Sequence, residues 1–556
     1  MCGIAGFVAF DGLPAGTGGI CARMGGTLDR RGPDSGGTWH DGQAAMTFRR
    51  LAVIDLVGGE QPMVATGEDG RTLAVLNYSG EVFNFAELRA ELESHGHTFR
   101  TRSDTEVVLR AYLQWGAECA PRLVGMFAFA VWDARTRELL LIRDRFGIYP
   151  LYYHRGAGGV VFASEPKAVL AHPGVPAVVD LDGLREMLSF APAPTGSVYR
   201  GLAQVRPGHV LRFTGSGVTS SCYWRLTAQP HLDDLPATIA TVRELLERSV
   251  AGQVVSDVPI CSLLSGGLDS SAIAALASRA IGGRLRTFSL DFAGHLERFR
   301  PGEMYVQPDA PFARQMAAWL GSEHTEVIVD SADLLGDGVR AEVIRAMDMP
   351  APAGELYTSL YLLSQTVRKE STVAITGDAA DEVFGGYLWF HDEWYRNADT
   401  FPWLAASHRM EMLTGLLDRE LVRRLDLDSV CRQHYADALA EAPVLPGEDG
   451  LERRIRQIGY LNLTRYLRVV LDRKDRMGMA SALEGRVPFL DHRLVEYVFN
   501  VPWSMRSFDG REKSLLRAAV RDLLPASVLN RPKAPFPTTQ DPAYAAGLRA
   551  RLAAIL

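Results

Sequence analysis

Cys2 is the first residue of the chain whose chemistry stands out. Removal of Met1 would leave it at the N-terminus with a thiol and a free α-amine, whose pKa is about 8. That amine can accept the thiol proton directly or through water. The apolar run Gly3–Val8 that follows predicts a strand. We therefore predict that Cys2 is a nucleophile, with an incidental cysteine in a frayed terminus as the alternative.

A glycine-rich turn, Ser265–Ser271, lies between the apolar run Val258–Leu264 and a predicted helix at Ser271–Ile281. Glycines allow backbone N–H groups to approach an anion, and a helix N-terminus adds partial positive charge. This strand–loop–helix context predicts a phosphate or pyrophosphate site rather than an ordinary turn with a serine cap. The residues predicted to bind there are Ser265, Gly266, Gly267, Asp269 and Ser270.

Three acidic residues, Asp378, Asp381 and Glu382, follow another predicted strand, Thr372–Thr376. In parallel sheets, ligands bind at the carboxyl ends of the strands. Several carboxylates close together are costly unless they share a cation. The cluster therefore predicts a shared cation, with a solvated acidic loop as the alternative.

Polar residues in the N-terminal third are suited to binding an amino acid. Arg50 can bind an α-carboxylate in bidentate fashion, and Glu81 and Asp104 can receive an ammonium group. The backbone N–H of Gly80 can face a tetrahedral oxyanion. Taken singly, each is more typical of a surface turn or helix cap, and Ser103–Glu106 is a fair capping sequence.

Two kinds of element pattern divide the chain. Before residue 164, short apolar or alternating runs with two helices outside them predict an α+β sandwich. The predicted strands are Ile4–Phe10, Ala44–Phe48, Leu73–Tyr78, Phe127–Asp133, Glu138–Arg143 and Val160–Ala163, and the helices are Ala86–Ser94 and Glu106–Trp115. From residue 257, buried strands alternate with helices, which predicts a parallel, doubly wound sheet.

Length and composition are those of a two-domain globular protein. The chain has 556 residues, of which 47% are hydrophobic. A boundary in the polar and Pro-rich zone predicts domains at 2–190 and 237–556, joined by 191–236. The net charge of −7 gives no basic footprint for nucleic acid, and we expect no membrane segment or secretory signal. Six scattered cysteines predict reduced thiols and a cytoplasmic protein.

The motifs resemble those of known proteins. Ser265–Ser271 resembles the pyrophosphate loop of ATP pyrophosphatases, and over nearly its full length the chain resembles the glutamine-hydrolysing asparagine synthetases. The N-terminal motifs are Cys2–Gly6, Arg31–Asp34, Arg50-Leu51, Ser103–Glu106 and Arg145–Gly147; the later ones are Ser265–Ser271, Asp381–Tyr387, Asp472–Asp475, Arg486–Asp491 and Arg511–Lys513. The resemblance implies an N-terminal nucleophile (αββα) glutaminase domain followed by an α/β ATP pyrophosphatase synthetase domain.

The resemblance also implies a role for each matching residue. Cys2 attacks glutamine, and ammonia passes through an internal channel to an aspartate activated by ATP. Asp269 and Asp381 bind Mg²⁺, and Lys513 stabilises charge on the intermediate. Residues implied to hold glutamine are Arg50, Leu51, Ala52, Val53, Ile54, Ser79, Gly80, Glu81 and Asp104. Further contacts to ATP are implied for Leu263, Leu290, Thr376 and Gly377. The substrates are small molecules; a homodimer is compatible with the sequence.

Three departures from the family pattern bear on activity. Ser79 stands where an Asn commonly helps to form the oxyanion hole, and losing one such donor can cost on the order of 10²–10³ in rate. Asp378 replaces a Glu that is a candidate for deprotonating the attacking ammonia, so its reach is shorter. Pro350–Leu360 lacks the usual Arg that would suit aspartate.

Four functional hypotheses remain open at this point. Asparagine synthesis leads, followed by amidation of another carboxylic acid in secondary metabolism. The β-lactam synthetase branch is disfavoured by the intact Cys2. A non-catalytic relative that senses nucleotide or glutamine is disfavoured by the phosphate loop, the paired acids and Lys513.

Overall fold

The computed structural model describes residues 2–156, 158–302, 305–350, 354–407 and 409–556. In it the chain forms two compact units. One consists of the chain up to Ala228 together with Leu388–Asp472, and the other of Gln229–Tyr387 together with Arg473–Leu556. Within the described residues, no helix combines the length and apolar character needed to cross a membrane.

The first unit contains two antiparallel sheets, each with six strands within the described residues. The strands are β1 (Gly3–Ala9), β2 (Ser35–His40), β3 (Ala44–Arg50), β4 (Met63–Thr66), β5 (Thr72–Val82), β6 (Gly125–Asp133), β7 (Glu138–Arg143), β8 (Tyr152–Gly156), β9 (Gly159–Ala163), β10 (Leu202–Gln204), β11 (His209–Thr214) and β12 (Gly217–Cys222). Their orders are β10-β8-β9-β1-β3-β2 and β12-β11-β7-β6-β5-β4.

Helices cover the outer faces of these sheets. They are α1 (Thr17–Gly26), α2 (Phe85–Ser94), α3 (Asp104–Trp115) and α4 (Pro166–Leu170). A 3₁₀ segment at Gly116–Arg122 follows α3, and a further helix, α5 (Leu181–Leu188), follows α4. Apolar residues of α1 and α4 pack on the β1 sheet, and those of α2 and α3 pack on the β5 sheet. Between the sheets, the Asn77 side chain of β5 donates to the carbonyls of Ala5 in β1 and Thr47 in β3, at 3.1 and 3.0 Å. The predicted αββα arrangement is confirmed.

The second unit begins as an alternation of helices and strands. The elements are α6 (Leu235–Gln253), β13 (Ile260–Leu263), α7 (Leu268–Ile281), β14 (Arg286–Phe292), α8 (His295–Arg298), α9 (Ala310–Leu320), β15 (Glu323–Val329), α10 (Ser331–Leu335), α11 (Asp337–Met347), α12 (Glu355–Arg368), β16 (Val373–Ile375) and α13 (Ala380–Phe384).

The helices between 388 and 472 are α14 (Leu388–His391), α15 (Glu393–Arg396), α16 (Pro402–Ala405), α17 (Arg409–Leu416), α18 (Arg419–Leu425), α19 (Leu427–Glu441) and α20 (Gly450–Leu461), followed by a π-helical turn at Asn462–Tyr466. Our sequence-based boundary places this segment in the second domain, whereas its contacts group it with the first unit. The contacts are specific: Arg185 of α5 donates to the carbonyls of Arg424 and Leu425, and Trp403 donates to that of Phe190 at 2.9 Å.

The chain ends with α21 (Leu467–Met479), β17 (Glu484–Arg486), a 3₁₀ turn at Pro488–Leu490, α22 (His492–Asn500), α23 (Trp503–Arg506), α24 (Ser514–Ala519), α25 (Ala526–Leu529) and α26 (Pro542–Ile555). β17 completes a parallel sheet of order β15-β14-β13-β16-β17. The predicted parallel sheet is confirmed. Its order reverses at β13, so the loops after β13, β14 and β16 meet at the edge where ligands bind.

Candidate active sites

Cys2 directly precedes β1, whose neighbours are β3 and β9. The Ser79 hydroxyl of β5 accepts the Cys2 N–H at 3.3 Å and donates to the Cys2 carbonyl at 2.9 Å. Arg31 Nε donates to the same carbonyl at 3.2 Å, and the thiol lies 3.7 Å from the carbonyl of Leu51. The backbone of Cys2 is therefore fixed on both sides. Met1 lies outside the described residues.

Arg31, which donates to the Cys2 carbonyl, is itself held by a buried ion pair. Arg31 Nη1 lies 2.8 Å from Glu165 Oε1, and Lys167 lies 2.6 Å from the other oxygen of the same carboxylate. Sequence reasoning identified Arg31 as part of a motif and gave no role to Glu165 or Lys167. No local pattern links residues 134 positions apart, so only the fold could identify this pair.

Burial raises the pKa of the Cys2 thiol, although the nearby Arg50 guanidinium acts in the opposite direction. Glu81 raises that pKa further. A thiol with a raised pKa needs a base before it can attack. The structure therefore brings Cys2, Arg50 and Glu81 within electrostatic reach of one another.

The other predicted glutamine-binding residues have defined surroundings. The Arg50 guanidinium donates to the carbonyls of Asp55 and Leu56, at 2.6 and 2.8 Å, which orients it. Asp104 accepts hydrogen bonds from the Tyr78 hydroxyl at 2.7 Å and from the Val82 N–H at 3.1 Å. These buried contacts are more specific than those of a surface turn.

Close packing explains the glycine at position 80. A Cβ there would lie 2.6 Å from the Met126 carbonyl oxygen and 2.7 Å from Phe127 Cβ, so no larger residue fits without displacement. The segment after β3 lies beside Cys2 through Leu51, and Leu51 and Val53 are buried. The Ala52 N–H donates to Asp34, at 2.8 Å. Ile54 is half-buried in the same segment.

In the second unit, Ser265–Ser271 runs from β13 into the start of α7, as predicted. Gly266 has φ of +70° and a Cβ there would lie 2.4 Å from the backbone nitrogen of Ala313. The hydroxyls of Ser265 and Ser270 are 3.0 Å apart. Gly377 packs against the loop so tightly that a Cβ would lie 2.6 Å from the Ser270 nitrogen. Close packing against the neighbouring backbone therefore fixes the curvature of the loop.

Acidic and basic side chains form a series of ion pairs beside the Ser265–Ser271 loop. Lys513 Nζ lies 2.5 Å from Asp269 and 2.6 Å from Asp381, and Lys533 lies 2.7 Å from the other Asp381 oxygen. Burial would raise the pKa of Asp381, but Lys513 and Lys533 lower it to about 2. Burial raises the pKa of Asp269 despite Lys513. The predicted residues Asp269, Asp381 and Lys513 are thus in direct contact.

One oxygen of this cluster is available to a metal ion. Asp269 Oδ1 is buried and has no hydrogen-bond partner among the described residues. Among the residues that the structure describes, no three His, Cys, Asp or Glu side chains form a group that could hold a metal ion. This donor set fits Mg²⁺, which takes one or two carboxylates and completes its shell with phosphate oxygens and water.

The Asp378 carboxylate forms an ion pair with Lys474. Its Oδ2 lies 2.9 Å from Lys474 Nζ and accepts from the Thr376 hydroxyl at 2.8 Å. Burial would raise the pKa of the Asp378 carboxyl, but Lys474, Thr376 and Arg473 lower it. A low pKa makes Asp378 a weak proton acceptor, so this role stays a prediction.

Glu382 has the opposite character. It accepts a hydrogen bond from the Tyr387 hydroxyl at 2.8 Å. Burial, followed by the charge of Asp381, raises the pKa of Glu382 to about 7. Sequence reasoning placed it in the acid cluster without a separate role, and it overlooked Lys474 and Lys533 as the cations of Asp378 and Asp381.

The predicted nucleotide contacts lie on adjacent strands. Leu263 ends β13, Leu290 lies in β14, and Thr376 and Gly377 follow β16. The segment after β14 contains α8, where the buried His295 ring lies among Phe292, Phe299 and Tyr305. Residues 303–304 of that segment, and 351–353 of the segment expected to lack Arg, lie outside the described residues.

Comparisons with known proteins cover both units. The sequence matches the family model described as asparagine synthase over residues 241–556, and that of the glutamine amidotransferase domain over residues 1–224. Asparagine synthetase (glutamine-hydrolyzing) 3 of Bacillus subtilis (strain 168) is 39% identical to this chain, covering 99% of the chain and 89% of that protein. Asparagine synthetase (glutamine-hydrolyzing) 1 of the same strain is 31% identical, covering 93% and 83%.

One solved structure with similarity is the glutamine phosphoribosylpyrophosphate amidotransferase from B. subtilis complexed with ADP and GMP. It is 17% identical, with a TM-score of 0.32, and the match covers 61% of this chain and 77% of that one. Similarity at this level adds no argument to those from the sequence.

Proposed function

The chain belongs to the glutamine-hydrolysing asparagine synthetase family, and from this premise we propose that it makes asparagine from aspartate, ATP and glutamine. It is an ATP-dependent carbon–nitrogen ligase with glutamine as the amide donor. The observation that carries the proposal is the pairing, in one chain, of a cysteine fixed at the start of β1 with a phosphate loop flanked by Asp269, Lys513 and Asp381. Since it uses ATP and glutamine, we place the enzyme in the cytoplasm.

In the first half-reaction, Cys2 attacks the side-chain amide of glutamine. A bond forms between Sγ and the amide carbon, the C–N bond breaks, and ammonia leaves with the thiol proton, relayed by the α-amine. Water then hydrolyses the γ-glutamyl thioester to glutamate. Arg50 is proposed to bind the α-carboxylate, and Glu81 and Asp104 are proposed to receive the ammonium. The Gly80 N–H is proposed as a donor to the oxyanion.

In the second half-reaction, the β-carboxylate of aspartate attacks the α-phosphorus of ATP. The bond to the bridging oxygen breaks, and pyrophosphate remains in the Ser265–Ser271 loop. Asp269 and Asp381 would hold Mg²⁺, which neutralises phosphate charge when bound. Lys513, held by the two carboxylates, stabilises negative charge on the adenylate and on the intermediate after ammonia attack.

Ammonia then attacks the β-carbonyl carbon of the adenylate: a C–N bond forms, the C–O bond to the phosphate breaks, AMP leaves, and one proton must leave the attacking nitrogen. Asp378 is the candidate that the sequence suggests, but its ion pair with Lys474 lowers its basicity. Proton transfer is most efficient when the pKa of the acceptor lies near the working pH. By this criterion Glu382, with its pKa raised to about 7, is the better matched carboxylate of the cluster.

The proposal is tested by measuring pyrophosphate release with ATP, Mg²⁺ and ammonium chloride, with and without aspartate. Aspartate-dependent release supports it, and its absence sinks the asparagine assignment. A panel of other carboxylic acids in the same assay tests the second candidate, a related amidotransferase with a different acceptor. That candidate is favoured by Asp378, which is shorter than the family's Glu and is paired with Lys474.

A second measurement separates the two half-reactions. Cys2→Ala should abolish glutamate production and leave ammonia-dependent pyrophosphate release intact. Survival of glutaminase activity in this variant would show that another group is the nucleophile.

A further inference from the structure

Lys533 is a cation beside the phosphate loop to which neither the sequence motifs nor the family comparison gives a task. Two contacts fix its backbone in this place. Its own N–H donates to Glu512 Oε1 at 3.2 Å, and Arg531, two residues earlier, donates to the carbonyl of Ser265 at 3.3 Å. Arg531 is itself held by Asp309, at 2.6 Å. The Lys533 side chain therefore starts from a fixed point next to the first residue of the loop.

From this point the Lys533 side chain extends to Asp381. Its Nζ lies 2.7 Å from Asp381 Oδ2 and above the Tyr387 ring, 5.1 Å from the ring centroid. The Lys533 side chain is 26% exposed, whereas that of Lys513, which pairs with the same carboxylate, is 3% exposed. A ligand can therefore reach Lys533, and its side chain has room to change partner, which the enclosed Lys513 lacks.

The carboxylate of Asp381 has an ammonium group at each oxygen. Lys513 lies 2.6 Å from Oδ1, and Lys533 lies 2.7 Å from Oδ2. Asp381 is also one of the two proposed magnesium ligands. A divalent cation on this carboxylate would meet an ammonium group at close range, where like charges repel. Because Lys513 is enclosed, Lys533 is the ammonium group that gives way.

An ammonium group that leaves Asp381 needs another anion. The carboxylates around it already have cations of their own, in the pairs Asp269–Lys513, Asp309–Arg531 and Glu512–Arg517. Glu382 accepts a hydrogen bond from Tyr387 and has a pKa of about 7, so it is only partly charged at neutral pH. The phosphate groups that arrive with the metal ion supply the missing anion, and lysine is a common phosphate ligand.

We propose that Lys533 exchanges Asp381 for the pyrophosphate moiety of ATP when the magnesium nucleotide binds, and thereby helps to hold that moiety in the Ser265–Ser271 loop. This inference rests on the proposed function, because it requires the loop to hold the phosphates of ATP. Arg531 ties the segment to the first residue of that loop, which favours the pyrophosphate moiety over the adenylate as the partner. In the free protein, Lys533 limits the cost of leaving a buried carboxylate uncompensated.

The first test measures binding alone, with no acceptor present. Pyrophosphate is titrated into full-length unmodified and Lys533→Met proteins in the presence of Mg²⁺, and binding is followed by calorimetry. Loss of a charge-assisted hydrogen bond to phosphate should raise the Kd for pyrophosphate about 10- to 100-fold. The Kd for AMP, which lacks the β- and γ-phosphates, should be nearly unchanged.

Magnesium ion without nucleotide gives the second readout. Lys533→Met leaves Asp381 with one ammonium group instead of two, so Mg²⁺ should bind this variant more tightly. A given concentration of Mg²⁺ should therefore raise the Tm of Lys533→Met more than that of unmodified protein. A purely structural role predicts instead that the binding of Mg²⁺, pyrophosphate and AMP weakens together.

Two further variants serve as comparisons. Lys533→Arg keeps the positive charge and should recover most of the pyrophosphate affinity that Lys533→Met loses. Lys369→Met removes an exposed lysine directly after α12 in the same unit and should behave as unmodified protein. If Lys533→Arg binds pyrophosphate as weakly as Lys533→Met, the charge is not what binds, and the inference is wrong.

The other outcomes are equally decisive. Unchanged pyrophosphate affinity in Lys533→Met overturns the inference, and so does an equal loss of pyrophosphate and AMP binding. A rise in Tm with Mg²⁺ that is no larger in Lys533→Met than in unmodified protein overturns the exchange. All of these results leave the proposed function intact. Unmodified protein that binds pyrophosphate but uses no carboxylic acid overturns the proposed reaction alone, whereas unmodified protein that binds no pyrophosphate overturns both.

Discussion

The Ser79 hydroxyl holds the Cys2 backbone nitrogen and carbonyl at the same time. After removal of Met1 that nitrogen is the proposed base, and a hydroxyl that accepts its N–H leaves its lone pair free for the thiol proton. Ser79→Ala loses both bonds, each worth about 0.5–1.5 kcal/mol. We expect glutaminase kcat to fall by about tenfold, with ammonia-dependent pyrophosphate release unchanged. Ser94→Ala, on the exposed end of α2, is the control; equal glutaminase rates in both variants would refute this role.

Glu382 gives the stability of the protein a pH dependence. Its pKa, about 7 after folding, exceeds the ordinary value of 4.5. The folded state therefore binds more protons between these values, and stability should fall as the pH rises through this window. Glu382→Gln keeps an acceptor for Tyr387 and removes the charge, so it should flatten part of the fall in Tm between about pH 5 and 7. Asp309, whose pKa burial raises to about 6, retains a smaller dependence. A Tm that falls equally in both proteins would contradict this.

At the scale of elements, the loop between β13 and α7 depends more on Gly266 than on Gly267. Gly266 has φ of +70°, and a Cβ there would lie 2.4 Å from backbone atoms of Phe312 and Ala313, whereas a Cβ at Gly267 would meet only the Ser265 hydroxyl at 3.4 Å. Gly266→Ala should displace the loop and raise the KM for ATP by about tenfold or more. Gly267→Ala should change it by less than about threefold. Similar KM values in the two variants would show that the loop curvature is not needed.

Elements with a strong local pattern were predictable from the sequence. The predicted helix Glu106–Trp115 corresponds to α3 (Asp104–Trp115), and the strand Glu138–Arg143 corresponds to β7 with the same bounds. β17 has only the three residues Glu484–Arg486, and its parallel pairing with β16 depends on residues more than a hundred positions away. The grouping of Leu388–Asp472 with the first unit depends on similar long-range contacts, such as Arg185 with Leu425.

In the candidate sites, too, the residues with a local sequence pattern were predictable and their distant partners were not. Cys2, the phosphate loop and the acids after β16 have local signatures because each is a short segment at the end of a strand. The partners that set their charge come from elsewhere: Lys513 lies 244 positions from Asp269, and Lys533 lies 152 from Asp381. A lysine has no local pattern that reveals its partner. Their pairing, and with it the free Asp269 oxygen, required the fold.

At the scale of the whole molecule, the two half-reactions are assigned to separate compact units. Lys513 lies in the second unit and is the shared cation of two buried carboxylates. Lys513→Met should abolish ammonia-dependent pyrophosphate release, because it removes charge stabilisation and leaves the two carboxylates in mutual repulsion. Glutamate production from Cys2, in the other unit, should persist.

Removal of a buried cation can also destabilise the fold by about 3–5 kcal/mol, so Lys513→Arg is measured alongside. Arginine keeps the charge that holds Asp269 and Asp381 together, and its Tm should stay close to that of unmodified protein. Its bulk against Gly386, where the Lys513 side chain already fills the space of a Cβ, should still lower pyrophosphate release. A folded Lys513→Arg protein that retains full synthesis would show that only the charge is required, whereas loss of glutaminase activity in it would show that the two units are not independent.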